Sequence, residues 1–212
     1  MELNNYIQTI TIYALPVIFA ITVHEAAHGY AARFFGDMTA EKAGRISLNP
    51  LRHIDPFGTI ILPALTLLIG GMLFGWAKPV PVDFGRLRHP KQDMFWVAAA
   101  GPFSNLIMAI LWAWVIKFSA LVPTYSAPMS LMGQAGVTIN VVLMVLNLLP
   151  LPPLDGGRIA VSLLPGPLAV KLANLERYGF MILVFLLFSG ILSKVMEPFI
   201  RATINLIALV FV

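Results

Sequence analysis

Two histidines and a glutamate lie within five residues of an otherwise apolar segment, FAITVHEAAHGYAARFF, at residues 19–35. In a helix, His24 and His28 are four residues apart and project from the same face. Glu25 is displaced by about 100° around the helix, which places it beside the pair. This H-E-x-x-H pattern is typical of a zinc site in which two neutral imidazoles bind the metal and the glutamate acts as general base.

The same residues have a second interpretation, as a structural polar patch that forms hydrogen bonds between helices. A charged side chain at membrane depth costs about 2.5–3.5 kcal/mol on insertion scales, so Glu25 needs a partner or a wet cavity. This cost and the spacing together favour a metal site over a structural patch. Because a catalytic zinc usually has three protein ligands and a water, the two histidines predict a third ligand elsewhere in the chain.

Asp155, in NLLPLPPLDGG at residues 147–157, is the preferred third ligand. Prolines before it stop the preceding helix, and two glycines after it permit close backbone approach. A carboxylate on unwound backbone at a helix end is free to reach a metal, although many such aspartates only cap a turn or helix. The other histidines, His53 and His89, lie in basic loops among prolines, and we expect both to be solvated.

The composition is that of a membrane protein. Of 212 residues, 58% are apolar and only 11% are charged, against about 25% charged in soluble domains. Several apolar stretches exceed the roughly 18 residues that indicate a transmembrane helix. The N-terminus lacks a basic region and a cleavage site, so we expect the first apolar segment to remain as a helix. The absence of cysteine excludes disulfide and thiol chemistry, and a net charge of +4 fits basic cytoplasmic loops better than nucleic-acid binding.

These stretches predict an all-α polytopic membrane protein with five to six transmembrane segments and with re-entrant or extended loop segments. Residues 36–56 are polar and broken by Gly and Pro, which predicts a loop, and residues 76–83, WAKPVPVD, are predicted to be extended. No linker divides the chain, so we expect a single domain over residues 1–212. The longest predicted helices cover 6–35, 93–121 and 129–149, and the other apolar segments are 57–75, 178–192 and 199–212.

The distribution of Lys and Arg predicts the orientation of the first helix. Nothing basic precedes it and several basic residues follow it, so its C-terminal end should face the cytoplasm. The loop at 76–92 is also basic, which favours a segment 57–75 that dips into the membrane and returns. Under this topology Asp155 ends on the same side as His24 and His28, whereas a simple all-crossing topology puts it on the opposite face.

With these motifs placed, the chain resembles the site-2 protease family, the zinc intramembrane metalloproteases. The matching pieces are HEAAH at 24–28, AGPFSN at 100–105 and NLLPLPPLDGG at 147–157, in the family's order and separation. Within the middle motif, Gly101 and Asn105 lie on one helix face, which favours close helix packing over direct catalysis. The matching region covers most of residues 6–160, which the resemblance implies form a three-helix catalytic core, with C-terminal helices at 176–212 outside it.

The resemblance implies one zinc ion per chain, bound by His24, His28 and Asp155, with Glu25 as catalytic base. It also implies that Asn147 helps to polarise the scissile carbonyl or to hold the substrate strand. An unwound substrate could add as a strand along the predicted extended segment. Two alternatives remain open: a non-proteolytic membrane metal-binding or transport protein, and an inactive relative that only binds membrane helices. Inverted repeats would favour a transporter, and the sequence contains none.

The loop run AGRISLNPLRHIDPFG followed by FGWAKPVPVD is similar to the compact bacterial or archaeal form of the family, and we expect neither a PDZ nor a CBS domain in these 212 residues. The resemblance implies a multi-pass protein of the cell membrane with its active site towards the cytoplasmic side. Its expected partners are the lipid bilayer and membrane-anchored substrate proteins with a single transmembrane helix, and not nucleic acid. A homo-oligomer or a regulatory membrane partner remains open.

Overall fold

The computed structural model describes residues 2–61 and 77–212 and contains only helices and loops within those ranges. This confirms the predicted all-α class. Short 3₁₀ or π turns occur at Pro50–Arg52, Pro56–Ile61, Phe84–Arg86 and Pro123–Tyr125. The α-helices are α1 (Glu2–Phe34), α2 (Thr39–Lys42), α3 (Pro90–Ser119), α4 (Ser126–Asn147), α5 (Asp155–Leu163), α6 (Gly166–Ala173), α7 (Glu176–Phe188) and α8 (Ile191–Phe211).

Helices α1, α3 and α4 pack against one another as the predicted three-helix core. Small residues on α4 permit a close approach to α3. A Cβ atom at Gly136 would lie 2.2 Å from the Trp112 ring, and one at Gly133 would lie 2.6 Å from Ile116 Cγ1. Small residues of this kind let membrane helices pack closely, so that van der Waals contact holds the pair together without a hydrophobic driving force.

Three helical stretches are long and apolar enough to cross a membrane: Gln8–Phe34, Pro90–Ser119 and Pro123–Asn147. Helices α7 and α8 form a fourth span if they are counted together, although the chain bends by 81° between them. Helix α7 has only 13 residues, or about 20 Å, too short to cross the roughly 30 Å apolar layer alone. The described residues therefore hold three to four spans of a polytopic membrane protein. The predicted segment 57–75 falls largely on residues 62–76, outside the described ranges.

The connection between α1 and α3 begins and ends at the same end of this helix pair. The Arg88 amide donates a hydrogen bond to the Phe35 carbonyl at 3.0 Å. Asp37, which is fully buried, fixes the same region: Oδ1 accepts from the Thr39 amide at 2.9 Å and Oδ2 from the Asp83 amide at 2.7 Å. One carboxylate thus joins the end of α1 to the segment that leads into α3.

Replacing Asp37 with asparagine is expected to lower the free energy of unfolding by about 1–3 kcal/mol, because an amide group must then face a backbone N–H. Burial acts to raise the pKa of Asp37, but hydrogen bonds from Thr39 and Asp83 outweigh it and hold the pKa below its ordinary value. The ionised Asp37 carboxylate therefore stabilises the fold above about pH 4, and this stabilisation is lost as the pH falls through the lowered pKa. Thermal unfolding in detergent should show a gap between wild type and Asp37→Asn that is full at pH 7 and shrinks below pH 4; a gap independent of pH would contradict this.

His53 and His89 differ in their exposure. The His89 side chain is 73% exposed, as predicted. The prediction for His53 is wrong, because this residue is only 2% exposed. The loop folds back on itself so that His53 Nε2 donates to the Ser47 carbonyl at 2.8 Å, and the Lys78 amide donates to the His53 carbonyl at 2.9 Å.

Candidate metal centre

Three potential ligand atoms from distant parts of the chain converge between α1 and α5. His24 Nε2 and His28 Nε2 are 3.1 Å apart, and they lie 3.2 and 3.3 Å from Asp155 Oδ2. Their side chains are 9%, 12% and 13% exposed, in the order His24, His28 and Asp155. The structure therefore brings together the two histidines of the HEAAH motif and the aspartate of the LDGG motif.

The protonation of these groups fits a cation between them. His24 Nδ1 lies 2.5 Å from Asn105 Oδ1, and His28 Nδ1 lies 2.7 Å from the Val97 carbonyl, so each ring carries its proton on Nδ1. Both Nε2 lone pairs then face Asp155 Oδ2, a buried oxygen that accepts no hydrogen bond from the described residues. Separations of 3.1–3.3 Å are close to the roughly 3.3–3.4 Å edge of a tetrahedron with zinc bonds of about 2.0–2.1 Å. The donor set therefore fits zinc.

Two buried asparagines fix the His24 ring from behind. Asn105 Nδ2 donates to the Ala20 carbonyl at 3.2 Å and to Asn140 Oδ1 at 2.9 Å, which leaves Asn105 Oδ1 to accept from His24. Asn140 Nδ2 in turn donates to the Gly136 carbonyl at 2.8 Å. The sequence argument missed this role of Asn105 and Asn140. The available signal was that a buried amide in an apolar helix needs a hydrogen-bond partner.

Substitution of Asn105 by leucine is expected to weaken zinc binding by roughly 10–100-fold, because loss of an outer partner frees the His24 ring and its tautomer. The measurement is competitive zinc titration of the purified protein against a chromogenic chelator. Ser104→Ala is the matched control, since Ser104 is buried on the same helix but donates only to the Gly101 carbonyl. Equal zinc affinities for Asn105→Leu and wild type would refute the role of Asn105.

Gly101 allows α3 to pass directly beside the imidazoles. A Cβ atom at this position would lie 2.4 Å from His28 Nε2 and 2.6 Å from His24 Cε1. The interpretation of Gly101 as a close-packing residue is therefore confirmed. The glycine leaves the space next to both rings free, which a side chain would fill.

The loop between α4 and α5 that carries Asp155 is held by close backbone contacts. A Cβ atom at Gly156 would lie 2.3 Å from the Leu148 carbonyl oxygen, and one at Gly157 would lie 2.2 Å from Pro152 N. The loop therefore turns tightly enough to place Asp155 as the first residue of α5. These contacts confirm that the glycines after Asp155 permit close backbone approach.

Glu25 and Asn147 line the same cavity of about 350 Å³ as the three potential ligands. Glu25 Oε2 accepts a hydrogen bond from the Val80 amide at 2.7 Å, which supplies the partner that a carboxylate at this depth requires. Asn147 Nδ2 donates one hydrogen bond to the Leu143 carbonyl at 3.0 Å. The structure thus brings all five predicted site residues to one cavity, although zinc binding and catalysis by them stay predictions.

The predicted extended segment also borders this cavity. Residues 77–83 form no helix, and the neighbouring Trp76 lies outside the described residues. Three backbone donors of the segment are already engaged: Lys78 N–H with the His53 carbonyl, and the Val80 and Asp83 amides with the Glu25 and Asp37 carboxylates. Pro79 and Pro81 have no N–H. The segment therefore has little capacity to donate hydrogen bonds to an added strand.

Comparison with known proteins identifies the class. The sequence model of Peptidase family M50 matches residues 124–190. The chain is 38% identical over 193 residues to the protein named "Putative zinc metalloprotease YwhC" of Bacillus subtilis, covering 89% of this chain and 85% of that protein. It is 31% identical to the proteins named "Putative zinc metalloprotease Rip2" of Mycolicibacterium smegmatis and Mycobacterium tuberculosis, over 183 and 144 residues. These matches cover 84% and 66% of this chain, and the chain spans 66% and 52% of the two relatives. No solved structure is significantly similar to this chain.

The fold and these relatives define a zinc-dependent metalloprotease of the membrane. The chain belongs to peptidase family M50, the site-2 protease family, as the resemblance of its motifs implied. This membership favours the protease over the transport alternative.

Proposed function

We propose that the chain is a single-domain intramembrane endopeptidase that cleaves transmembrane segments of membrane-anchored proteins. The observation that carries this proposal is the convergence of His24, His28 and Asp155 beside Glu25, in a cavity that three helices of membrane-spanning length line together with α5 and residues of the 79–84 segment. In this proposal His24, His28 and Asp155 hold the zinc ion. When bound, zinc acts as a Lewis acid that lowers the pKa of a water ligand and polarises the peptide carbonyl.

The remaining steps are assigned to residues of the chain. Glu25 accepts a proton from the attacking water and later passes it to the leaving amine. The Val80 amide donates a hydrogen bond to one oxygen of that carboxylate. This bond holds the Glu25 side chain in one conformation and leaves its other oxygen free to accept the proton. Asn147 retains a second amide N–H beyond the one bonded to Leu143, and this group is available to the substrate carbonyl. The substrate helix must unwind before attack, since its peptide groups are otherwise paired with one another.

The test uses purified protein in proteoliposomes with a fusion protein that carries one transmembrane helix. We expect cleavage within the membrane segment, located by mass spectrometry of both fragments. A zinc chelator should abolish the cleavage and added zinc should restore it. Zinc-replete protein that leaves a panel of such fusions intact, or that cuts only outside the apolar segment, would contradict the proposal.

We also propose that the metal centre opens towards the cytoplasm. Basic residues concentrate at the end of the core where α1 ends and α3 begins, among them Arg33, Lys42 and Arg88, whereas the turn at 120–126 has no charge. Cytoplasmic loops carry the excess of Lys and Arg, which supports this orientation.

The chain contains no cysteine, so single cysteines can report this orientation directly. Both Lys42 and Thr124 are exposed, at opposite ends of the core. In intact cells, a membrane-impermeant maleimide should label Thr124→Cys at once and Lys42→Cys only after permeabilisation. The reverse pattern would place the metal centre towards the outside.

A further inference from the structure

Most polar side chains around the cavity have no free N–H or O–H group with which to donate a hydrogen bond to a substrate. Glu25 and Asp155 are acceptors when ionised. The rings of His24 and His28 have their Nδ1 protons engaged by Asn105 and the Val97 carbonyl. An unwound transmembrane segment presents carbonyl oxygens that have lost their helical partners, and in an apolar setting each of them needs a donor. Asn147 keeps one free amide N–H for this purpose, which is fewer donors than several unpaired carbonyls need, so the unwound segment needs a further donor in the cavity.

Arg158 is placed to be that donor. It lies three residues after Asp155 on α5 and lines the cavity, and it is the only lysine or arginine among the described lining residues. Its Nη2 donates to Glu176 Oε1 on α7 at 3.2 Å, and its Cζ lies 4.8 Å from the centre of the Phe84 ring. These two contacts orient the guanidinium plane. The other N–H groups of Arg158 have no partner among the described residues, and the side chain is 33% exposed.

We propose that Arg158 is a substrate-binding residue whose guanidinium donates hydrogen bonds to oxygen acceptors of the unwound segment beside the scissile peptide. This inference rests on the proposed function. Arginine suits the role because its charge is permanent and its five N–H groups form a rigid fork. Hydrogen bonds from a charged donor are roughly twice as strong as neutral ones. Arg158 also forms no ion pair with Asp155 in the described structure, so it does not compete with the metal for that carboxylate.

The acceptors in question have two sources, the backbone carbonyls of any substrate or an acidic side chain near the cleavage point. Two fluorescent transmembrane peptides distinguish them, one with only apolar residues around the cleavage point and one with a single aspartate there. Dissociation constants are measured with zinc-loaded Glu25→Gln protein, in which the peptide is not consumed. The same measurement is then made with double variants that combine Glu25→Gln with one further substitution: Arg158→Gln, Arg158→Lys, Glu176→Gln or Arg177→Gln. The zinc content of each protein is determined as well.

We expect Arg158→Gln to raise the dissociation constant at least tenfold with zinc content unchanged, and Arg158→Lys to recover part of the loss. Weaker binding of both peptides identifies backbone carbonyls as the acceptors, and weaker binding of the aspartate peptide alone identifies a carboxylate. Arg177→Gln is the matched control, because Arg177 stacks on Tyr178 and does not line the cavity. Glu176→Gln, which keeps an amide oxygen next to Arg158, should cost less than threefold.

Three results with the Arg158 and Glu176 variants would overturn this inference: equal dissociation constants with and without Arg158, a loss of zinc in Arg158→Gln, or a loss of peptide affinity in Glu176→Gln as large as that in Arg158→Gln. The second would mean that Arg158 acts through the metal centre, and the third that it is a structural tether to α7. Failure of the parent protein to bind either peptide would also exclude substrate binding by Arg158. Failure of wild type to cleave in proteoliposomes would instead count against the proposed function, because the binding measurement does not depend on cleavage.

Discussion

Replacing Glu25 with glutamine is expected to leave zinc bound and to lower the rate of substrate cleavage by roughly 10²–10⁴-fold, the usual contribution of a general base. Glutamine has nearly the shape of glutamate, and its amide oxygen still accepts the hydrogen bond from Val80. It cannot take a proton from water. Glu25 also contributes none of the three potential ligand atoms that converge at the metal centre, so the zinc content should stay at one ion per chain.

Glu41→Gln is the matched control for this variant. Glu41 forms a surface pair with Arg33, at 3.0 Å with both side chains more than 40% exposed, and lies outside the cavity. Its substitution should leave the cleavage rate within twofold of wild type, because exposed pairs contribute little to stability. Cleavage by Glu25→Gln at the wild-type rate would refute the assignment of the base, whereas loss of zinc from this variant would make Glu25 a ligand.

Replacing Asp155 with alanine is expected to weaken zinc binding by more than the roughly 10–100-fold that loss of an outer partner costs. Two imidazoles remain on α1, and the carboxylate that brings charge to the site is gone. Cleavage should fall with the zinc content and return in part at high zinc concentration. The measurements are zinc per protein after dialysis and the cleavage rate as a function of added zinc.

The control for Asp155→Ala is Asp83→Ala, because the Asp83 side chain pairs with Arg86 at the surface and is not one of the groups that line the cavity. Thermal unfolding of both variants checks that the helices remain assembled. Asp155→Ala protein that retains stoichiometric zinc at wild-type affinity would show that the third ligand lies elsewhere. A loss of zinc in both variants would indicate a change in the fold and not in the ligand set.

The candidate ligands could be proposed from the sequence because the two motifs that carry them are recognisable from local spacing. The spacing of His24 and His28 fixes a shared helix face, and the prolines and glycines around Asp155 predict a tight turn that ends a helix. The convergence of these two motifs is tertiary, and the sequence supported it only through loop charges and the resemblance to a family. The structure supplies the contact directly, at 3.2 and 3.3 Å.

The residues that support the site were less accessible from sequence. Asn105 and Asn140 lie 35 positions apart, and their hydrogen bond depends on how α3 packs against α4. The burial of His53 likewise depends on a loop that folds back on Ser47, whereas its basic, proline-rich surroundings predict exposure. Hydrogen bonds between helices leave no periodic pattern in either partner, so a single sequence predicts the need for a partner and not its identity.

The number of membrane spans was also only partly predictable from the sequence. Apolar length alone predicted separate segments at 178–192 and 199–212, and the structure has one bent pair, α7 and α8, which meet at an angle of 81°. The bend occurs at Gly190, whose φ of 72° lies in the left-handed region that glycine adopts without strain. Hydropathy records how apolar a stretch is and carries no information on whether two neighbouring stretches are collinear.

The central claim is that His24, His28 and Asp155 hold the zinc ion, and the zinc K-edge X-ray absorption spectrum of the purified protein tests it most directly. The account predicts a shell of nitrogen and oxygen neighbours at about 2.0–2.1 Å, outer scattering from two imidazoles, and no sulfur. The spectrum of His24→Ala should show one imidazole fewer. A shell without imidazole scattering in the wild-type protein, or a spectrum unchanged by His24→Ala, would contradict the account.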